Sequence, residues 1–193
     1  RDCAQISDGC AVLFLCSAEF AQQHAQKQRR QSGYPAILGW GQRSSPLPLA
    51  EKLPASNDRG LMFPHLQRTI ADALQRARLQ DAWQLDVIET HDCFTISEYL
   101  ALEHFALAPA GKGWQLIEDG VIEVCGRLPV NPSGGLIGAG HPVGATGVRM
   151  LLDAWRQVEG KADSYQVEGA RRAGCLNIGG SFSAVASFVV GYR

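Results

Sequence analysis

Short, continuously apolar runs alternate along this chain with stretches of helical periodicity, and that alternation restricts it to an α/β domain built around a mixed sheet. The run Cys10 to Cys16 (CAVLFLC) is too short for a buried helix and suits a strand covered on both faces. Ser17 is placed to cap a helix over Ala18 to Gln31 that ends at Gly33 with Pro35 beyond. Ala36 to Gly41 and Leu85 to Glu89 read as further strands. Between Pro64 and Leu79, the residues Leu66, Ile70, Ala73, Leu74 and Ala77 recur at three- and four-residue spacing, the stripe of an amphipathic helix. Phe94 to Leu107 predicts another helix, and Met150, Leu151, Ala154 and Val158 predict one that stops at Gly160. Cys175 to Ile178 and Ala184 to Val190 form a final strand pair around Gly179-Gly180. The expected order is βαβαβαββ with helices on both faces of the sheet. Ser44 to Asn57, rich in Pro and Ser and without periodicity, reads as an ordered surface loop.

Composition narrows the partners. With 193 residues, 46% hydrophobic, the chain can bury a sizeable core as one domain, taken as residues 10–193 after a linker over 1–9. A net charge of −1 gives no global basic field, so nucleic acid is not expected. No apolar run approaches the roughly 20 residues that cross a bilayer, and the start lacks a signal-peptide core, so no membrane partner and a cytoplasmic location are expected. The first residue is Arg, which suggests a sequence that begins inside a larger protein. The six cysteines (Cys3, Cys10, Cys16, Cys93, Cys125, Cys175) form no Cys-x-x-Cys pair and read as reduced thiols, with no metal site expected.

Three stretches carry chemistry. His91-Asp92-Cys93-Phe94 follows a strand, at the carboxyl end where open α/β sheets collect ligands. His91 and Cys93 are two apart at a turn and can face one cleft. A thiol there can accept a proton or act as a nucleophile when its surroundings favour the thiolate, and the bland alternative is a structural thiol beside a core histidine. The second stretch, Asn131 to Gly147, is crowded with glycine around a single imidazole, His141. It lacks the glycine spacing of a dinucleotide fingerprint and the Gly-Lys-Ser/Thr of a P-loop. Its glycines let backbone approach a ligand closely while His141 projects into the space. The third, Cys175-Leu176-Asn177-Ile178-Gly179-Gly180-Ser181, ends in a glycine turn whose N–H groups can serve an oxyanion. Cys175 alternates onto the same face as Asn177 but deeper in the sheet, and is read as structural.

Together these stretches resemble the thiolase superfamily, over essentially the whole chain as that fold's C-terminal domain. Ser7-Asp8-Gly9-Cys10-Ala11 looks like the opening of that domain, and Gly140-His141-Pro142 like the superfamily's Gly-His-Pro motif. Where ordinary thiolases read Asn-Glu-Ala-Phe, this chain has His91-Asp92-Cys93-Phe94, as in sterol-carrier-protein thiolases. Where they carry Cys-x-Gly, it has Asn177-Ile178-Gly179, so the acid/base thiol is absent from its usual place. The resemblance implies that Cys93 supplies that thiol, that His141 and His91 form an oxyanion hole, and that Gly179 with Asn177 contributes a second one. Asn131, Gly140 and Phe94 are the implied substrate-binding residues.

An acyl-CoA C-acyltransferase is implied, an enzyme of lipid metabolism that performs thiolysis of a 3-oxoacyl-CoA or the reverse Claisen condensation. Coenzyme A and acyl-CoA enter as substrates, with no permanently bound cofactor. The nucleophilic Cys belongs to an N-terminal thiolase half lying upstream. That half is an expected partner, as is a homodimer or higher oligomer, and the isolated chain is expected to be inactive. A eukaryotic source would imply a peroxisomal location, though no C-terminal Ser-Lys-Leu is present. The alternatives are a thiolase-fold retro-aldolase subunit of steroid side-chain degradation and a noncatalytic dimerising or binding domain.

Overall fold

The computed structural model describes residues 2–28, 33–52 and 60–193. Helix α1 (Ala18–Lys27) starts where Ser17 Oγ accepts the Phe20 N–H at 3.2 Å, with Glu19 in its first turn and Lys27 in its last, matching the helix dipole. Residues 29–31 of the expected helix lie outside the described residues, as do residues 53–57 of the expected surface loop. Within that loop, α2 (Leu49–Lys52) forms a single turn. Strand β1 (Pro35–Ser44) is followed by α3 (Pro64–Arg76), β2 (Val87–Thr90), α4 (Thr95–His104), α5 (Gly113–Glu118), α6 (Gly135–Ala139), α7 (Thr146–Glu159), β3 (Arg172–Gly179) and β4 (Ala184–Tyr192).

The four strands make one mixed sheet in the order β1-β4-β3-β2. β2 and β3 are parallel, while β4 runs antiparallel to both β3 and β1. Side chains alternate across the strands, so Leu176, Ile178, Val185 and Val189 bury against α3 and its neighbours while Ala173, Cys175 and Val190 bury beneath α7. The α/β class with helices on both faces is therefore what the structure shows. α3 lies unusually close to β1, because a Cβ at Gly39 or Gly41 would run into the carbonyl oxygens of Ala73 or Thr69. Among the described residues no helix is long and apolar enough to cross a membrane.

The leading strand of the expected order does not form. Cys10 to Cys16 is irregular, with Val12 60%, Phe14 93% and Leu15 73% exposed. Its apolar composition calls for burial, but a strand needs a neighbour to take its N–H and C=O groups, and this run pairs with none of the four strands. His91 consequently follows the second strand rather than a third. The glycine stretch also departs from a simple turn, since Gly135 to Ala139 winds into the short helix α6.

Residues 2–7, expected to be linker, are tied down. Cys3 bridges Phe94 and Ile6 bridges His141. The Ala4 N–H donates to the Cys93 carbonyl at 2.8 Å, and the His141 N–H donates to the Gln5 carbonyl at 3.2 Å. One extended segment thus stitches together the two loops that carry the histidines.

Candidate functional site

β2 ends at Thr90, and the chain turns through His91, Asp92 and Cys93 into α4. The parallel neighbour β3 places Asn177 beside this turn, and the His91 ring meets it through Nδ1 and Asn177 Oδ1 at 2.8 Å. His141 sits between α6 and α7, where its ring lies edge to face with His91, centroids 5.1 Å apart and planes at 87°. The Thr146 hydroxyl donates to the Pro142 carbonyl at 3.1 Å and so accepts from His141 Nδ1 at 2.8 Å. Both rings are therefore anchored through Nδ1, which leaves Nε2 of each as the atom available to a ligand.

Burial sets the charge of this pair. It drives the His91 pKa down to about 4, with the Asn177 hydrogen bond opposing and the neighbouring His141 assisting. His141 is also lowered, by burial first and then by the Arg149 guanidinium. Two neutral imidazoles in contact can each present one donor or one acceptor to the same small group without mutual charge repulsion. Cys93 is half-buried with its Sγ 3.9 Å from Ser97 Oγ, and burial pushes its thiol up, so its resting form carries the proton. Cys175 is fully enclosed, its Sγ 3.5 Å from the Met150 carbonyl, and burial raises its pKa further. A protonated, half-buried thiol on the same turn as the His91 imidazole is able to transfer a proton, whereas Cys175 is enclosed beneath α7.

Three polar links lock the glycine stretch to the His91 turn. Ser133 Oγ donates to Glu89 at 2.6 Å, the Thr90 N–H donates to Asn131 Oδ1 at 2.7 Å, and the Leu136 N–H donates to Asp92 Oδ1 at 2.6 Å. Asn131 spends its remaining amide group on Glu98, donating at 2.9 Å, so its side chain is engaged within the protein. Gly140 ends α6 at φ 92°, where a side chain would crowd Ser7. Phe94 is 53% exposed beside Cys93, and Gly179 closes β3 at the hairpin turn.

The structure thus joins His141 and Asn177 to His91, places Cys93 on the same turn as His91, and leaves Cys175 within β3 beneath α7. Sequence reasoning assigned no task to Asp92, Glu89, Ser133 or Thr146. Asp92 stood inside a motif already singled out, and Thr146 follows His141 by about one helical turn, so both carried a local signal. Glu89 and Ser133 carried none. Among the described residues, no group of three or more His, Cys, Asp or Glu side chains could hold a metal ion.

Comparison with known proteins places this geometry in a family. The thiolase C-terminal domain-like family matches residues 50–192, a span that contains every site residue above and leaves the unpaired Cys10 to Cys16 run outside. An acetyl-CoA acetyltransferase of Methanothermobacter thermautotrophicus is 33% identical over 93% of this chain and 44% of its own length. Sterol carrier protein 2 of Oryctolagus cuniculus is 34% identical over 98% of this chain and 34% of its own length. A solved Ltp2-ChsH2(DUF35) aldolase shares the fold with a TM-score of 0.67 at 21% identity, covering 86% of this chain and 42% of the other. The chain spans less than half the length of these relatives.

Proposed function

This chain belongs to the thiolase C-terminal domain-like family, and from that footing we propose that it is the C-terminal half of an acyl-CoA C-acyltransferase. The substrate class is a 3-oxoacyl-CoA cleaved by thiolysis, or two acyl-CoA molecules joined by the reverse Claisen condensation. Linkers and N-terminal partners aside, one observation carries the reading: His91 and His141, from loops fifty residues apart in sequence, meet edge to face at 5.1 Å as neutral rings.

In the proposed mechanism the two Nε2 atoms face the thioester oxygen, and His91 donates to it as negative charge develops. Cys93, a thiol at rest, gives its proton to the departing α-carbanion and regains one from the incoming CoA thiol, and condensation runs the same transfers in reverse. The Gly179 N–H, at the strand end, assists the acyl-enzyme oxygen. The acyl group is carried by a nucleophilic cysteine of the N-terminal half, the expected partner of this chain. Segment 2–7 contributes by fixing the spacing of the two histidine loops through the Ala4 and His141 backbone bonds.

The experiment is reconstitution. The chain alone and the chain with its N-terminal half are incubated with a 3-oxoacyl-CoA, with and without free CoA. Cleavage that needs both halves and free CoA is expected. Robust CoA-dependent turnover by the chain alone would sink the two-half reading. CoA-independent cleavage of a 3-hydroxyacyl-CoA, tested in parallel, would instead favour retro-aldol chemistry, the alternative suggested by the fold likeness to the aldolase.

A further inference from the structure

Neutral histidine carries its proton on one nitrogen, and the partner of Nδ1 decides which. His91 Nδ1 meets the Asn177 side-chain amide. An amide has two orientations of almost the same shape, one presenting an oxygen and the other an NH2 group. With oxygen at the contact, Nδ1 must donate, and Nε2 becomes a bare acceptor unable to bind an oxyanion. With the NH2 group at the contact, Nδ1 accepts and Nε2 bears the proton.

The other end of the same amide discriminates between the two. With Oδ1 on His91, the Asn177 Nδ2 lies against Gly147, 2.8 Å from where a Cβ of that residue would stand. Gly147 is the second residue of α7, in the first turn, where helix N–H groups lack intrahelical acceptors and the dipole is positive. An NH2 group beside that first turn meets the positive end of the helix dipole, which an amide oxygen would complement. Turned over, the amide offers its oxygen to the helix start and its NH2 to His91, and both contacts become favourable. Gly147 itself leaves room for this close approach, since any side chain there would collide with the amide.

We propose that Asn177 is a positioning residue that holds His91 in the Nε2–H tautomer by donating from its amide to Nδ1 while its oxygen faces the N-terminus of α7. This rests on the oxyanion role proposed above, and it assigns Asn177 a task other than touching substrate. The arrangement makes the identity of residue 177 decisive for the chemistry of residue 91, although 86 positions separate them.

The test is spectroscopic, so that it does not depend on turnover. Long-range proton–nitrogen NMR of the histidine-labelled chain at mildly alkaline pH reports which nitrogen of each ring is protonated. His91 is expected to show a bare Nδ1 and a protonated Nε2. In Asn177→Asp, of the same shape but able only to accept, Nδ1 is expected to become protonated. A protonated Nδ1 in the unaltered chain overturns the proposal, as does a His91 spectrum that Asn177→Asp leaves unmoved. Should that variant fold poorly, the unaltered chain alone still decides. In the reconstituted enzyme Asn177→Asp is expected to lower kcat by roughly a hundredfold with a smaller change in KM. Unchanged turnover alongside a relocated proton would overturn the oxyanion role of His91 and leave the tautomer assignment intact, which keeps the two failures apart.

Discussion

Asp92 and Gly135 form a junction whose energetics can be worked out in advance. Asp92 is buried at 6% exposure and accepts the Leu136 N–H at 2.6 Å and the Ile137 N–H at 3.5 Å, capping α6. Asp92→Ala removes one strong charge-assisted hydrogen bond and strands a buried donor, a loss of about 2–3 kcal/mol. Gly135 holds φ 58° with its α-carbon pressed against that carboxylate, so a Cβ there would lie 2.6 Å from Oδ1. Gly135→Ala therefore meets left-handed strain of about 1–2 kcal/mol and also displaces the carboxylate, losing the same bond for about 2 kcal/mol more. The two substitutions share one hydrogen bond. If they were independent the double variant would lose about 6 kcal/mol, but with the shared bond counted once it should lose about 4. Urea denaturation of the chain and its three variants measures the difference. Losses that add to within about 0.5 kcal/mol would refute the idea that the Asp92 carboxylate is what Gly135 accommodates.

Three other outcomes follow from named contacts. Burial raises the Glu89 carboxyl to about 7 against Ser133's opposing hydrogen bond. Its folded form then holds a proton that the unfolded form releases between about pH 4.5 and 7, so its contribution to stability falls as pH rises through that window. Glu89→Gln should gain stability relative to the parent by up to about 3 kcal/mol between about pH 5 and pH 7.5, and parallel pH curves for the two would contradict the burial argument. In the reconstituted enzyme Cys93→Ser should slow condensation and thiolysis roughly a hundredfold, while Cys175→Ser alters stability more than rate; the reverse ranking in steady-state assays would move the acid/base task to β3. Thr146→Val keeps its shape but frees His141 Nδ1, so kcat should fall about tenfold with a stability change near 1 kcal/mol, and an unaltered kcat would show that His141 needs no such anchor.

What local physics dictates could be read from residue order alone. The three- and four-residue spacing of Leu66, Ile70, Ala73 and Leu74 predicted α3, because a helix repeats its buried face over that interval whatever it packs against. The apolar run at Ala184 to Val190 predicted β4, and the glycines around His141 marked a place of close backbone approach. Which segments meet is a different kind of fact. Cys10 to Cys16 has the composition of a core strand yet stands unpaired, since composition reports a demand for burial and not the neighbour that satisfies it. Asn177 sits beside His91 because β3 lies parallel to β2, and Glu89 holds Ser133 because the glycine stretch folds back over the β2 turn. Hydrogen bonds across 44 and 86 residues leave no periodicity in a sequence. The residue types of this site were thus written in the chain, while the burial of its titratable groups and the meeting of the two histidines came from sheet order and loop packing, which depend on contacts between distant segments.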